Sequence, residues 1–465
     1  MIEKDNFTKS GGFVTLRNRN IQSSERSRPL QSGSEPVSAA ARSNHRRNQI
    51  MSENTASQMP PIAVRDMRVQ TAVNCQTPDR VPFVPSLGNV YCLEYRVTIK
   101  EAMTDIRKVI PAMDEVCRDI DPDALFVPTF FPMKTMERLD SQCMGWPGSK
   151  PEFGDNAAYQ MFDNTYLEDD DYEEFLKDPS RFLLNKVLSK KYAALSGLSM
   201  LNPYSLCGTT VLGFGALAAP PMKAALQSML EAADITAEYL QGMMELSMHA
   251  IGNGYPIWGD FVVMNPFDEF ADNIRGLVNT VMDLKTDPDL LAEAVNRFAD
   301  VNIPSAIAQA KMMHAKYAFI PLHVGIDEFM SPDDYHDYYW PPLKRLLDEL
   351  IKNEITPMVM CEGNYYTRLE TLKEIQKGKV VYFFEKQDMK KAKDALSGIA
   401  CIAGNFDTGL LMHGTKEAVV EETRRLLDIC APGGGYIMSN SMSIDQCKRE
   451  NLIAWYEATM KYGKY

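Results

Sequence analysis

Two glutamates each close an apolar run: Pro357-Met358-Val359-Met360-Cys361-Glu362 and Val380-Val381-Tyr382-Phe383-Phe384-Glu385. Burying an unpaired carboxylate is expensive, so a charge at the end of a buried strand needs a metal, a cation or a ligand to meet it. A third run, Ala400-Cys401-Ile402-Ala403, leads into Gly404-Asn405-Phe406-Asp407, where Asn405 and Asp407 are placed to hydrogen-bond a substrate. His323, in Pro321-Leu322-His323-Val324-Gly325-Ile326-Asp327, ends one more run and can act as acid, base or metal ligand. Asp327 follows it as a further candidate substrate contact or as an ordinary loop acid. Asp388, three residues beyond Glu385, orients that carboxylate, binds substrate or caps the helix starting at Met389.

These residues need elements that carry them to one place. From residue 60 onward, short β-branched or aromatic runs alternate with longer amphipathic stretches, the signature of an α/β fold with parallel strands. The expected strands are Val81–Pro85, Ala124–Pro128, Pro256–Met264, Ala318–Val324, Pro357–Cys361, Val380–Phe384, Ala400–Ala403 and Gly435–Ser439. Ser331-Pro332-Asp333-Asp334 reads as a helix start, with a hydroxyl cap, proline in the first turn and acids at the positive end. Leu343, Leu346, Leu347 and Leu350 then recur on one face. Thr415 starts a second helix, which Pro432-Gly433-Gly434-Gly435 stops. Eight strands with helical crossovers most simply close into a (β/α)8 TIM barrel, with its active site at the carboxyl ends of the strands. An open doubly wound sheet is the alternative, but no glycine fingerprint follows the first strand. The stretch from Pro132 to about Met200 reads as a long insertion after the second strand, and its acid run Glu168-Asp169-Asp170-Asp171 as a solvated face.

Bulk properties exclude some classes. A net charge of -13 over 465 residues argues against a general nucleic-acid binder. No apolar run approaches the ~20 residues a bilayer span needs. The nine cysteines are scattered without a CxxC pair, which reads as reduced thiols and a cytoplasmic location. Cys361 and Cys401, beside the site, read as small hydrophobes, and Met-rich patches as core. His413 reads as a loop residue, and Trp258 and Asp260 as weak candidates for the pocket wall. Residues 1–60 are expected as a disordered tail, a transit peptide, or sequence upstream of a start at Met51, with 61–465 forming one domain.

Several strings carry a family resemblance. Asp79-Arg80-Val81-Pro82-Phe83-Val84-Pro85, Gly404-Asn405-Phe406-Asp407 with Leu410-Leu411 and Gly414-Thr415, and Ala431-Pro432-Gly433-Gly434-Gly435-Tyr436-Ile437-Met438 are similar to segments of the uroporphyrinogen decarboxylase superfamily. The resemblance covers about residues 65 to 465 and implies a (β/α)8 barrel. It implies either decarboxylation of porphyrinogens or zinc-dependent methyl transfer to or from corrinoid proteins. The decarboxylases carry an Arg-rich element after the first strand, whereas this chain has Ser86-Leu87-Gly88-Asn89-Val90-Tyr91-Cys92-Leu93-Glu94-Tyr95-Arg96, with one arginine. A substrate bearing many carboxylates needs several cations, so the methyltransferase branch is the nearer likeness.

That branch holds zinc through a His-x-Cys pair and a later Cys, positions that fall here on Met360, Glu362 and near Met442. The related cobalamin-independent methionine synthase barrel adds a glutamate on the next strand, matching Glu385. The resemblance therefore implies a zinc site of Glu362, Glu385 and His323, with oxygen-rich ligation favouring a strong Lewis acid. The function expected is demethylation of a small methylated donor, an O-methyl ether, onto the corrinoid of a partner protein. Tyr335, Tyr338, Tyr339, Trp340, Tyr365 and Tyr366 suggest room for an aromatic ether. A homodimer fits the superfamily. The alternatives are a decarboxylase and a non-catalytic ligand-binding barrel.

Overall fold

In the computed structural model, residues 59–465 are described, except 127 and 129. The expectation for the N-terminal tail therefore falls almost wholly outside the described residues. Ten short strands are present among them: β1 (Leu125–Phe126), β2 (Met144–Gly145), β3 (Gln160–Met161), β4 (Ile257–Trp258), β5 (Phe261–Val262), β6 (Tyr317–Leu322), β7 (Thr356–Asn364), β8 (Val381–Lys386), β9 (Cys401–Gly404) and β10 (Tyr436–Ile437). Strands β10-β9-β8-β7-β6-β5 form one six-stranded sheet in that order, and every pairing within it is parallel. A separate parallel pair joins β1 to β4, and β2 and β3 form an antiparallel hairpin.

The first expected strand, Val81–Pro85, is reduced to a single parallel bridge between Phe83 and Met438. Pro82 and Pro85 have no N–H, so a regular ladder cannot extend through them. The carbonyl of Pro82 still accepts from Met438 N at 2.9 Å and Val84 N donates to Met438 O at 3.0 Å. On the other side Phe83 O accepts from Asp123 N at 2.8 Å, and Leu125 N donates to Pro256 O at 2.9 Å. The expected strand 256–264 is broken into β4 and β5 by Gly259, whose φ of +64° ends the first piece. The last five expected strands lie where the apolar runs placed them.

Alternation along the strands separates two cores. Residues such as Ile320, Leu322, Val359, Cys361, Tyr382, Phe384 and Ile402 belong to the large cluster shared with the helices. The residues between them, Tyr317, Met358, Met360, Val381, Phe383, Cys401, Ala403 and Ile437, form a second cluster with Val84, Ala124 and Trp258. Burial on both faces is why these strands read as continuous apolar runs. Phe126 contacts Trp258, Phe319 and Phe383 edge-on at 5.9–6.1 Å between ring centroids, filling the second cluster.

Helices cover the outer face, among them α1 (Pro220–Gly252), α2 (Pro288–Met312), α3 (Trp340–Lys352), α4 (Met389–Leu396), α5 (Lys416–Cys430) and α6 (Arg449–Tyr462). Ser331 accepts from Asp334 N in the expected capping box, and Leu343, Leu346, Leu347 and Leu350 are all buried. Thr415 caps α5 by accepting from Ala418 N at 3.3 Å. Between β1 and β4 lies the long expected insertion, which holds the β2–β3 hairpin and several short helical turns before α1. Its acid run is not wholly free: Asp169 pairs with the buried Arg275.

Candidate functional site

Extending the alternation of the inner cluster by one pleat places His323 above Phe319 and Pro321, Glu362 above Met358 and Met360, Glu385 above Phe383, and Asn405 above Ala403. Each strand thus carries apolar side chains on its inner face until its carboxyl end and a polar one there. Cys361 pairs with Phe384, so Glu362 and Glu385 are neighbours on adjacent strands, and the register shifts just after them between Cys361 and Asn364. That irregularity sits where side chains need re-aiming. Gly363, at φ +75°, presents its N–H to Glu385 Oε2 at 2.6 Å.

His323 is held from both sides. Its Nε2 lies 2.9 Å from Asp272 Oδ1 and its Nδ1 3.4 Å from Asp268 Oδ1. Asp268 is fully buried and accepts from His323 N at 2.9 Å, Val324 N at 3.0 Å, Asn265 Nδ2 at 2.8 Å and the Tyr339 hydroxyl at 2.5 Å. Four donors satisfy a carboxylate's acceptor sites, which is what its burial requires. Burial alone would favour the neutral imidazole. The hydrogen bond to Asp272 and the charges of Asp268, Asp272 and Glu362 outweigh it and raise His323 to about 9. The ring is therefore an imidazolium near neutral pH.

Glu362 lies in the opposite state. Its carboxyl receives no side-chain or backbone hydrogen bond among the described residues, and burial is the largest cause pushing its pKa up. The His323 cation works against that rise, while Asp268, Glu385 and Asp272 add to it, so Glu362 is pushed up to about 7. Near neutrality it is divided between acid and carboxylate, the condition for a general acid or base. Tyr159, from β3's hairpin in the insertion, faces the same space: burial and the charges of Glu362 and Asp445 raise its phenol, and its ring meets Phe131 edge-on at 4.8 Å.

Other expected contacts are engaged elsewhere. Asp388 caps α4, accepting from Lys390 N at 3.0 Å and Lys391 N at 3.2 Å. Asp407 likewise caps the short helix Thr408–His413 through Gly409 N at 2.8 Å. Asp327 accepts from Thr367 Oγ1 at 2.8 Å and lies 3.4 Å from Arg368 Nε. Asn405 stands on the inner face, but its amide donates to Gln387 O at 2.9 Å. Asp260 accepts from Lys316 and Tyr317 N–H groups at the start of β6, the end away from His323, and Trp258 is buried among the inner aromatics. His413 is an exposed end of a helical turn.

The aromatic wall is also corrected. Tyr335, Tyr339 and Tyr365 are fully buried in the outer core, where Tyr335 stacks on Tyr339 at 5.0 Å. They brace the site from behind, since Tyr339 holds Asp268. Cys361 is buried in the outer cluster and Cys401 in the inner one, both as packing.

A zinc site needs His323, Glu362 and Glu385 to converge as ligands, and the donor set does not fit one. Both ring nitrogens of His323 are taken up by carboxylates, Nε2 at 2.9 Å from Asp272 Oδ1 and Nδ1 at 3.4 Å from Asp268 Oδ1. Glu385 accepts from Gly363 N. Among the described residues no three His, Cys, Asp or Glu side chains are grouped to hold an ion.

Four contributors were not anticipated. Asp268 and Asp272 lie four residues apart in the helix Pro266–Phe270 and the π-turn Ala271–Arg275. Their sequence context, Asn265-Pro266-Phe267-Asp268-Glu269, looks like an ordinary acidic helix start, and only the i, i+4 spacing directly after a strand end hinted otherwise. Arg368, 1% exposed, donates to the carbonyls of Gly325, Ile326 and Met330 and so fixes the loop that leaves His323. Tyr159 had no sequence signal, coming from a distant hairpin.

The uroporphyrinogen decarboxylase (URO-D) family model matches residues 213–462. No curated protein matches the chain. Among solved structures, the chain is similar to a methyltransferase from Methanosarcina mazei, with 14% identity, a TM-score of 0.55, and coverage of 85% of this chain and 98% of that one. That likeness is one of fold. A B12-independent methionine synthase from Shewanella sp. W3-18-1 aligns over 46% of this chain and 65% of its own at 12% identity, with a TM-score of 0.34 that carries no argument. No helix among the described residues is long and apolar enough to cross a membrane.

Proposed function

Because the chain belongs to the uroporphyrinogen decarboxylase family, whose model spans more than half of it, we propose that it is an enzyme with its active site around Glu362, Glu385 and His323. The fold is read as an eight-staved (β/α)8 barrel, supported by the backbone bonds that link Pro82 and Val84 to Met438 on one side and Phe83 to Asp123 on the other. The activity is transfer of a methyl group from a small methylated donor, an O-methyl ether, to the corrinoid of a partner protein. A docked partner supplies the nucleophile for the methyl carbon.

One observation carries the reading: Glu362, raised to about 7, has no hydrogen-bond partner among the described residues and stands beside the His323 cation. An alkoxide or phenolate leaves poorly unless its oxygen is protonated or polarised. As the methyl carbon is attacked, the C–O bond breaks and its electron pair stays on oxygen. The proton of Glu362 passes to that oxygen, an alcohol or phenol is released, and the new carboxylate is stabilised by His323. General acid help of this kind contributes about 10²–10⁴-fold. A Brønsted acid here serves where the family resemblance implied a Lewis acid. The fold likeness to a methyltransferase agrees with this activity.

Decarboxylation of a polycarboxylate is disfavoured by charge. Three carboxyl groups, Asp268, Asp272 and Glu362, act on the His323 cation, and Glu385 adds a fourth beside Glu362. The test is incubation of the chain with a reduced corrinoid protein and a panel of aryl and alkyl methyl ethers, following the corrinoid absorbance. Turnover that falls at least 100-fold in Glu362→Gln supports the reading. Release of CO2 from uroporphyrinogen without corrinoid, or turnover indifferent to Glu362→Gln, overturns it.

A further inference from the structure

Tyr159 stands immediately before β3 in the insertion, and the hairpin that carries it is tied down at both ends. At its base Met144 pairs with Met161 and Gly145 with Gln160, and Phe162 N donates to Cys143 O at 2.9 Å. Asp163, one residue on, accepts from Leu277 N at 2.7 Å. At its tip Asn156 Oδ1 accepts from Ile99 N at 3.2 Å, Asp155 O accepts from Lys100 N at 3.0 Å, and the Asp155 carboxylate pairs with Lys100 Nζ at 2.9 Å. A side chain on so fixed a frame has little ordering left to lose when a ligand arrives.

The frame sets Tyr159 at the carboxyl ends of the strands. β1 runs parallel to β4, whose chain continues into β5 of the main sheet. Phe126 of β1 meets Phe383, one pleat below Glu385, at 6.0 Å, so the chain leaving β1 rises to the level of the carboxyls. Phe131 lies on that continuation, and the Tyr159 ring meets it at 4.8 Å and 89°. Glu362 is near enough for its charge to act on the Tyr159 phenol. Two rings at a right angle form a corner. A third flat ring can stack on one and meet the other edge-on, the two arrangements aromatic pairs prefer. Tyr159 is 39% exposed and Phe131 half-buried, so the corner is not sealed by the protein's own packing. Tyr335, Tyr339 and Tyr365, by contrast, are withdrawn into the outer core.

We propose that Tyr159 and Phe131 determine specificity for an aryl methyl ether, receiving the donor's ring in their corner while the ether oxygen faces Glu362. This inference rests on the reading of Glu362 as the acid that serves a methyl ether, and adds to it the class of the ether. A saturated ring of the same size is puckered and has no π face, so it makes neither contact. The recognising group on Tyr159 is its ring rather than its hydroxyl.

Ligand-observed NMR titration of the full chain with methoxybenzene and with methoxycyclohexane tests the proposal and needs no corrinoid. Methoxybenzene is expected to bind about tenfold more tightly, the sum of two modest aromatic contacts. Tyr159→Ala brings the two ligands to within about twofold of each other, whereas Tyr159→Phe keeps the preference. The ratio of the two affinities isolates the ring contact from any general loss of binding, and thermal unfolding checks that Tyr159→Ala remains folded. Absence of saturable methoxybenzene binding, equal affinities in the wild type, a preference unchanged in Tyr159→Ala, or one lost in Tyr159→Phe overturns the assignment. Failure of the methyl-transfer reading looks different: the aryl preference and its loss in Tyr159→Ala persist, while no reduced corrinoid protein is methylated.

Discussion

Asp272 and Asp268 hold His323 as a cation, and that cation in turn sets how readily Glu362 gives up its proton. Asp272→Asn keeps the size of the side chain and removes the charge. It is expected to move His323 from about 9 toward its ordinary 6.5, measured by titrating the imidazole signals in NMR, and Asp272→Glu restores part of the rise. Loss of the cation makes Glu362 harder to ionise while loss of the Asp272 charge makes it easier; the cation is the larger cause, so once His323 is neutral the limb of the activity profile that depends on the Glu362 proton moves to higher pH. In the wild type that limb falls as pH rises through about 7, where Glu362 loses the proton it donates. Glu362 and Glu385 were legible in the sequence because a carboxylate ending an apolar run is physically anomalous. The bonds that decide their roles were not. Asp388 and Asp407 carry the same residue type at similar positions, yet one is drawn to Lys390 N and the other to Gly409 N by the open N–H groups of a helix start.

The loop after β6 shows how an element is made rigid for its site. Arg368 spends its guanidinium on three carbonyls, on Thr367 Oγ1 at 2.9 Å and on the face of Tyr335 at 4.7 Å. Arg368→Ala leaves those carbonyls and Asp327 without their donor, and a loss of about 3 kcal/mol is expected in urea unfolding. Gly325→Ala tests the same loop by sterics, since a Cβ there would lie 2.7 Å from the Tyr339 ring. It is expected to destabilise by about 1–3 kcal/mol and to displace the hydroxyl that holds Asp268. The late strands and helices were readable because period and caps agree locally. The first strand was overestimated: its β-branched residues suggested a ladder that Pro82 and Pro85 cannot complete.

Across the molecule, His323 and Glu362 make the native state bind more protons than the unfolded chain. His323 rises from 6.5 to about 9, so its contribution is complete below about 6.5 and is lost as pH climbs through about 9. Glu362 rises from 4.5 to about 7, so the native state loses ground between those values as its carboxylate is forced to form in a half-buried place. Both signs agree, and stability is expected to decline from pH 5 to pH 9, by on the order of 2 kcal/mol for each group. Urea midpoints at the two pH values measure it, and Glu362→Gln removes the lower part of the decline while making the protein more stable at pH 8. The parallel α/β plan was readable from the alternation of runs and amphipathic stretches. The hairpin that brings Tyr159 near Glu362 was not, because nothing in a local pattern reports an approach made across 200 residues.

Beneath the carboxyls, Phe126, Trp258, Phe319 and Phe383 lock edge to face. The one polar group among these four rings, the indole N–H of Trp258, is buried without a hydrogen-bond partner. Hydrons reaching Glu362 and His323 are therefore expected from above, along the same route a donor takes to enter on the proposed reading. On the proposed reading a bound donor covers that route, and each occupied cycle draws on the hydrons already held by Glu362 and His323.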